Sequence, residues 1–260
     1  MLNGKSALVT GSLGGIGFAT AKALAELGCD ITLNGFAPPE VIADRLAELR
    51  ALDVRARHHA ADLRHPDQIK ALIETTRAEH GGPDILVNNA VVRSFAAVEA
   101  FTPEHWDEAL AVNLSAPFHA IRLAMPQMKA KGWGRIVNMA SIYGLLATVN
   151  RIDYVTTKTA LIGLTRAVAL EVARTAITCN AICPATVLTP AIDWRLRQEM
   201  QRDGTTFEQA EESFLAVRQP SRSFVKDANV AGLIAFLCGP HGADINGAAL
   251  PIDGAWAAGR

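Results

Sequence analysis

The sequence predicts one α/β domain over residues 1–260, a doubly wound parallel sheet with helices on both faces. Three observations predict it. Seven short apolar runs bounded by turn residues alternate with amphipathic stretches, and strand-then-helix order repeated along a chain builds a parallel sheet covered on both sides. The 260 residues are 50 % apolar and 20 % charged, enough to bury one large core. A glycine-rich turn joins the first apolar run to the first amphipathic stretch, where such sheets bind ligands at their strand ends.

Taken in order, SALVTG, CDITLNG, VRARHHAAD, DILVNNA, GRIVNMAS, AITCNAICP and AALPIDG read as the seven strands. After the first, SLGGIGFATAKALAELG opens on glycines and continues as a helix with an apolar stripe. Between the fourth and fifth, PEHWDEALAVNLSAPFHAIRLAMPQMKAK is amphipathic at the helical period. Between the fifth and sixth, ALIGLTRAVALEVA is apolar well beyond one stripe, as a helix covered on more than one side would be. From Thr189 to about Ser223 the rhythm breaks. WRLRQEMQRDGTTFEQAEESF is charged and long for a simple crossover, so residues 189–223 are expected to form a lid over the strand ends.

Charge narrows the function classes. The formal net charge is −1 and the Lys and Arg residues are scattered, so neither a nucleic acid nor a membrane surface is the expected partner. No charged leader precedes an apolar segment and no apolar stretch reaches 18 residues, so a cytoplasmic protein is expected. Cys29, Cys179, Cys183 and Cys238 are dispersed. Four residues along one strand span roughly 13 Å, too far for a Cys179–Cys183 disulfide, and the cysteines read as small core residues. No metal is expected.

Two stretches carry chemistry. In LVTGSLGGIG, Gly11, Gly15 and Gly17 lie at a strand-to-helix turn, where the backbone can approach a pyrophosphate and a helix N-terminus offers unpaired N–H groups. In NRIDYVTTKTAL, Lys158 follows Tyr154 by one helical turn, and Arg151 precedes it by three residues. A phenol with a pKa of about 10 is a poor base at neutral pH. A cation one turn away on the same face favours its ionised form.

These stretches occur with others in a fixed order: T-G-x-x-x-G-x-G at 10–17, AADL at 60–63, NNA at 88–90, Asn113 in VNL, Ser141 in MAS, and Tyr154-x-x-x-Lys158. The series resembles the short-chain dehydrogenase/reductase family over nearly the whole chain. The resemblance implies a seven-stranded Rossmann sheet, a nicotinamide dinucleotide and a homotetramer. By position, Gly11, Gly15, Ile16 and Gly17 would line the pyrophosphate, Asp62 and Leu63 the adenine, Asn89 and Ala90 the adjoining ribose, and Thr189 the carboxamide. Tyr154 would be the base, with Lys158 lowering its pKa and holding the nicotinamide ribose. Ser141 would hydrogen-bond the substrate oxygen, and Asn113 would anchor a water in the proton relay. At the end of the second strand, Asn34, Gly35 and Phe36 offer no cation to a 2′-phosphate and Leu13 is apolar, which favours NAD. Val91 and Ala185 stand where the family usually has glycine, close to the expected nicotinamide.

Within the family, NLSAPFHAIRLAMPQMKAKGWGRIVNMAS, TCNAICP, QPSRSFV and IDGAW resemble D-3-hydroxybutyrate dehydrogenases. The expected pocket departs from that group: Arg93, Tyr143, Arg151 and Arg195 stand where it has glutamine, histidine, lysine and glutamine, while Trp256 is retained. Arg151 and Arg195 instead match positions at which hydroxypropyl-coenzyme M dehydrogenases grip a sulfonate. A guanidinium is a rigid fork suited to an oxyanion. The expectation is therefore an NAD-dependent dehydrogenase of a small anionic hydroxy compound, with Arg151 and Arg195 as an anion clamp. The competing readings are 3-hydroxybutyrate dehydrogenase proper, a carrier-protein-linked 3-oxoacyl reductase, and an NAD(H)-binding sensor without turnover.

Overall fold

The computed structural model describes residues 2–216 and 218–259. Seven strands form one sheet: β1 (Ser6–Val9), β2 (Asp30–Asn34), β3 (Ala56–His59), β4 (Ile85–Asn88), β5 (Gly134–Met139), β6 (Ile177–Pro184) and β7 (Ala249–Ile252). All pairings are parallel, in the order β3-β2-β1-β4-β5-β6-β7. Each expected strand is present. This is the Rossmann-like arrangement that the resemblance implied.

The side-chain alternation of β1 shows how the core divides. Ala7 and Val9 face one way, onto α1 (Gly15–Glu26), α2 (Pro39–Arg50) and α9 (Asp227–Cys238), through Phe18, Leu24, Leu49, Val230 and Ile234. Leu8 faces the other way, onto α3 (Pro66–His80), α5 (Ala116–Lys131) and α6 (Ile152–Val172), through Ile69, Leu72, Ile121 and Val168. A strand buried on both faces has no polar side to show, which is why β1, β4, β5 and β6 are buried at every position. The four cysteines are buried and unpaired.

Winding proceeds outward from β1 to β3, then returns to the other side of β1 at β4. Ligands of open parallel sheets bind outside the strand ends at that reversal. A cleft of about 1000 Å³ opens there. Residues 189–223 hold two helices, α7 (Pro190–Asp203) and α8 (Phe207–Ala216), beside this opening. Their base is tied down by a parallel bridge between Val187 and Val225 and by the buried Gln219, whose amide accepts from the Thr186 N–H at 3.3 Å and donates to the Ser223 carbonyl. Among the described residues no helix is long and apolar enough to cross a membrane.

Candidate active site

The glycine turn is shaped by close contacts. A Cβ on Gly17 would lie 2.3 Å from the Gly11 carbonyl oxygen and 2.6 Å from Asn89 Nδ2, so only glycine lets α1 start this near β1 and β4. Asn89 locks the turn from the β4 side, donating to the carbonyls of Thr10 and Gly11 at 2.9 and 2.8 Å. By contrast, a Cβ on Gly14 would meet nothing within 4 Å. Gly14 is the N-cap of α1, no side chain caps that end, and no acid occupies its first turn. Open space before uncapped N–H groups fits a pyrophosphate. Asp227, at the start of α9, also lines this part of the cleft, and burial raises its pKa.

At the end of β2, Asn34 Nδ2 donates to the carbonyls of His59 and Ala61 at 3.1 and 3.0 Å, so its amide is committed to the sheet edge. Phe36 lines the cleft with its ring exposed, alongside Asp62 and Leu63. A cation that the sequence reading missed stands here. Arg64 also lines the cleft, but it is held by Asp62 at 2.6 Å and Glu108 at 3.5 Å. The Arg64 hydrogen bond in turn holds the Asp62 carboxyl down at about 2.

The reacting end is built by α6 and the turn that follows β5. Arg151 is the N-cap of α6, and Tyr154 and Lys158 project from its first two turns. Lys158 is buried, its ammonium lies 5.6 Å from the Tyr154 ring centroid, and it donates to the Met139 carbonyl at 2.5 Å. Burial, with the Arg93 charge second, pushes its pKa from an ordinary 10.5 down to about 7. Ser141 begins a 3-10 turn, Ile142–Gly144, and its Oγ accepts from the Tyr143 N–H at 3.2 Å. No hydrogen bond among the described residues uses the Ser141 proton, which remains free for a substrate oxygen. Gly144 permits this turn to lie on α6, since a Cβ there would be 2.8 Å from the Lys158 carbonyl oxygen.

Asn113 sits beneath the cleft rather than on its wall. It lies in a π-helical turn, Ala111–Ser115, between α4 (Pro103–Leu110) and α5. Its Oδ1 accepts from the Val92 N–H at 2.9 Å, and its Nδ2 donates to the Val92 carbonyl at 2.9 Å and to Thr157 Oγ1 at 3.3 Å. The side chain is thus fully engaged in fixing the loop after β4. Asp153, which the sequence reading also missed, fixes the same loop by accepting from the Ser94 N–H at 3.1 Å.

The other expected residues, Ala90, Val91, Arg93, Tyr143, Arg151, Ala185, Thr189, Arg195 and Trp256, line the same cleft. Trp256 is buried and meets Tyr143 edge-on at 5.5 Å, making an apolar wall. Thr189 caps α7, its hydroxyl accepting from the Ile192 N–H at 3.4 Å. Arg151 stacks 3.5 Å from the Phe95 ring centroid and 5.5 Å from that of Tyr154. Burial and the Arg93 charge lower its pKa. Arg195 differs: it is exposed and paired with Glu199 at 2.8 Å, one turn along α7.

The short chain dehydrogenase family model matches residues 5–200. The chain belongs to the short-chain dehydrogenase family. It is therefore an oxidoreductase acting on CH–OH groups with a nicotinamide cofactor. Short-chain dehydrogenases similar to it include the D-beta-hydroxybutyrate dehydrogenase of Cupriavidus necator, 42% identical over 99% of this chain and 100% of the relative. The 2-(R)-hydroxypropyl-CoM dehydrogenase of Xanthobacter autotrophicus is 34% identical over 97% of this chain and 98% of its own. Among solved structures, the L-sorbose reductase of Gluconobacter frateurii, complexed with NADPH and L-sorbose, superimposes with a TM-score of 0.91 at 29% identity, covering 97% and 96% of the two chains.

Proposed function

We propose that the chain is an NAD-dependent dehydrogenase of a small anionic secondary alcohol, a hydroxy acid or hydroxyalkyl sulfonate. One observation carries the anionic part: Arg151 stands half-buried beside Tyr154 with no carboxylate within ion-pair distance among the described residues. A half-desolvated cation without a partner is costly, and a substrate anion supplies the partner. Stacking on Phe95 fixes the guanidinium plane and leaves its donor edges free. Arg195, on the proposed lid, completes the anion site by turning from Glu199 to the substrate.

Tyr154 takes the hydroxyl proton as the carbonyl forms. Ser141 donates to the substrate oxygen, and Lys158, in its protonated form, offsets the negative charge on the phenolic oxygen. When bound, the dinucleotide supplies the hydride acceptor. Gly11, Gly15, Ile16 and Gly17 hold its pyrophosphate, Asp62 and Leu63 its adenine, Asn89 and Ala90 a ribose, and Thr189 its carboxamide. Because the Asn113 side chain is committed to Val92 and Thr157, a relay water at this residue uses its backbone carbonyl. NAD is the favoured dinucleotide because Asn34, Gly35 and Phe36 carry no positive charge and Arg64 is already paired with two acids.

D-3-hydroxybutyrate dehydrogenation proper is the second reading, favoured by the 42% identity to an enzyme of that name. A spectrophotometric screen of hydroxy acids, hydroxyalkyl sulfonates and neutral secondary alcohols with NAD tests the proposal. Anionic alcohols are expected to exceed neutral ones by at least about tenfold in kcat/KM, a difference of roughly 1.4 kcal/mol. Neutral alcohols turned over as well as anionic ones of the same size would refute it.

A further inference from the structure

Besides Arg93, Arg151 and Arg195, a fourth arginine that the sequence reading did not single out lines the same cleft: Arg218, beyond the end of α8. The four are held in two places. Arg151 lies against Phe95, and the charge of nearby Arg93 helps to lower its pKa. Both belong to the fixed wall, where Asn113 and Asp153 grip the loop on either side of Arg93. Arg195 and Arg218 instead share one ring on the lid, with guanidinium carbons 5.4 and 5.0 Å from the Phe214 centroid. Glu199 pairs with Arg195, while the ion pairs among the described residues leave Arg93, Arg151 and Arg218 without an acid.

One carboxylate has about four lone-pair sites, which one or two guanidinium forks fill. Four forks, on two supports from different parts of the chain, exceed what a single carboxylate can engage. With Arg195 already paired to Glu199, a single negative charge would still leave two of the four arginine charges unbalanced. We infer that the substrate carries two separated anionic groups, as in a hydroxy diacid, one held by Arg93 and Arg151 and the other by Arg195 and Arg218. The inference rests on the dehydrogenase reading above. The reaction is unchanged: the carbinol carbon gives a hydride to the dinucleotide and its hydroxyl proton to Tyr154, leaving a ketone, and both acid groups stay intact.

The test uses the full chain with NAD and three diacids, malate, 2-hydroxyglutarate and 3-hydroxyglutarate, each beside its monomethyl esters, with 3-hydroxybutyrate and a neutral secondary alcohol as controls. At least one diacid is expected to exceed its own monoesters by about tenfold or more in kcat/KM. Arg93→Gln and Arg218→Gln should each reduce the diacid rate more than the monoester rate, shrinking that preference by about tenfold, mainly through KM. If monoesters and 3-hydroxybutyrate are turned over and no diacid is preferred, the inference falls and the anionic-alcohol reading stands. If only neutral alcohols react, both fall. A preference that survives Arg218→Gln unchanged overturns the assignment of the second group.

Discussion

Lys158→Met should make the protein more stable and leave it nearly inactive. Met keeps the length of the side chain while removing the charge from a buried position. With a pKa of about 7 in place of 10.5, the folded protein disfavours the ammonium by about 5 kcal/mol, at 1.36 kcal/mol per pH unit. Losing the hydrogen bond to the Met139 carbonyl returns about 1–3 kcal/mol of that. A net gain of about 2–4 kcal/mol is expected at pH 6.5. Because the folded pKa lies below the unfolded one, the unfolded chain alone holds the proton between pH 7 and 10.5, and wild-type stability rises with pH across that window. Below pH 7 both states are charged and the whole penalty stands. Above 10.5 neither is, and the penalty is gone. Urea denaturation of wild type and variant at equal protein concentration, at pH 6.5, 8.5 and 10, should therefore show the variant ahead at 6.5 and losing its advantage towards 10. A difference independent of pH, or a variant less stable at pH 6.5, would refute the desolvation argument.

Three further outcomes are expected. With no unpaired cation beside Phe36 among the described residues, kcat/KM with NAD should exceed that with NADP by at least about tenfold, and equal use of the two would contradict the cofactor assignment. Tyr154→Phe should lower kcat by about 10² or more while NAD binding, read by fluorescence titration, persists; a variant keeping a tenth of the wild-type rate would remove Tyr154 as the base. Phe118 on α5 and Leu170 on α6 are exposed apolar residues on helices that are apolar beyond one stripe, so light scattering at micromolar concentration should give a homotetramer, and a monomer would contradict this.

The strands and their order of appearance were legible because burial on both faces leaves near-continuous apolar runs between turn residues. The glycine turn and the Tyr154–Lys158 pair were legible because each is a contact within one local segment. What depended on long-range placement was not. That the amide of Asn113 grips Val92 follows from a π turn meeting the loop after β4, 21 residues away, and no local pattern reports it. Arg64, two residues beyond Asp62, reaches the cleft beside Phe36 only because β3 pairs with β2, a placement that no local pattern reports. Arg195 and Glu199 stand four apart on a helix, a spacing that itself signals a pair. Arg218 could be recognised only once α8 had placed Phe214 between it and Arg195.

The most direct test of the anionic-substrate claim compares Arg151→Gln with wild type on the best anionic alcohol from the screen and on its uncharged analogue. Loss of a charge-assisted hydrogen bond worth about 1.5–3 kcal/mol should lower kcat/KM for the anion by roughly 10- to 150-fold, mostly through KM, because a tail held equally in ground and transition states contributes uniform binding. The uncharged analogue should lose far less. If Arg151→Gln handles the anionic substrate as well as wild type does, Arg151 is a surface residue of the cleft and the anionic specificity is wrong.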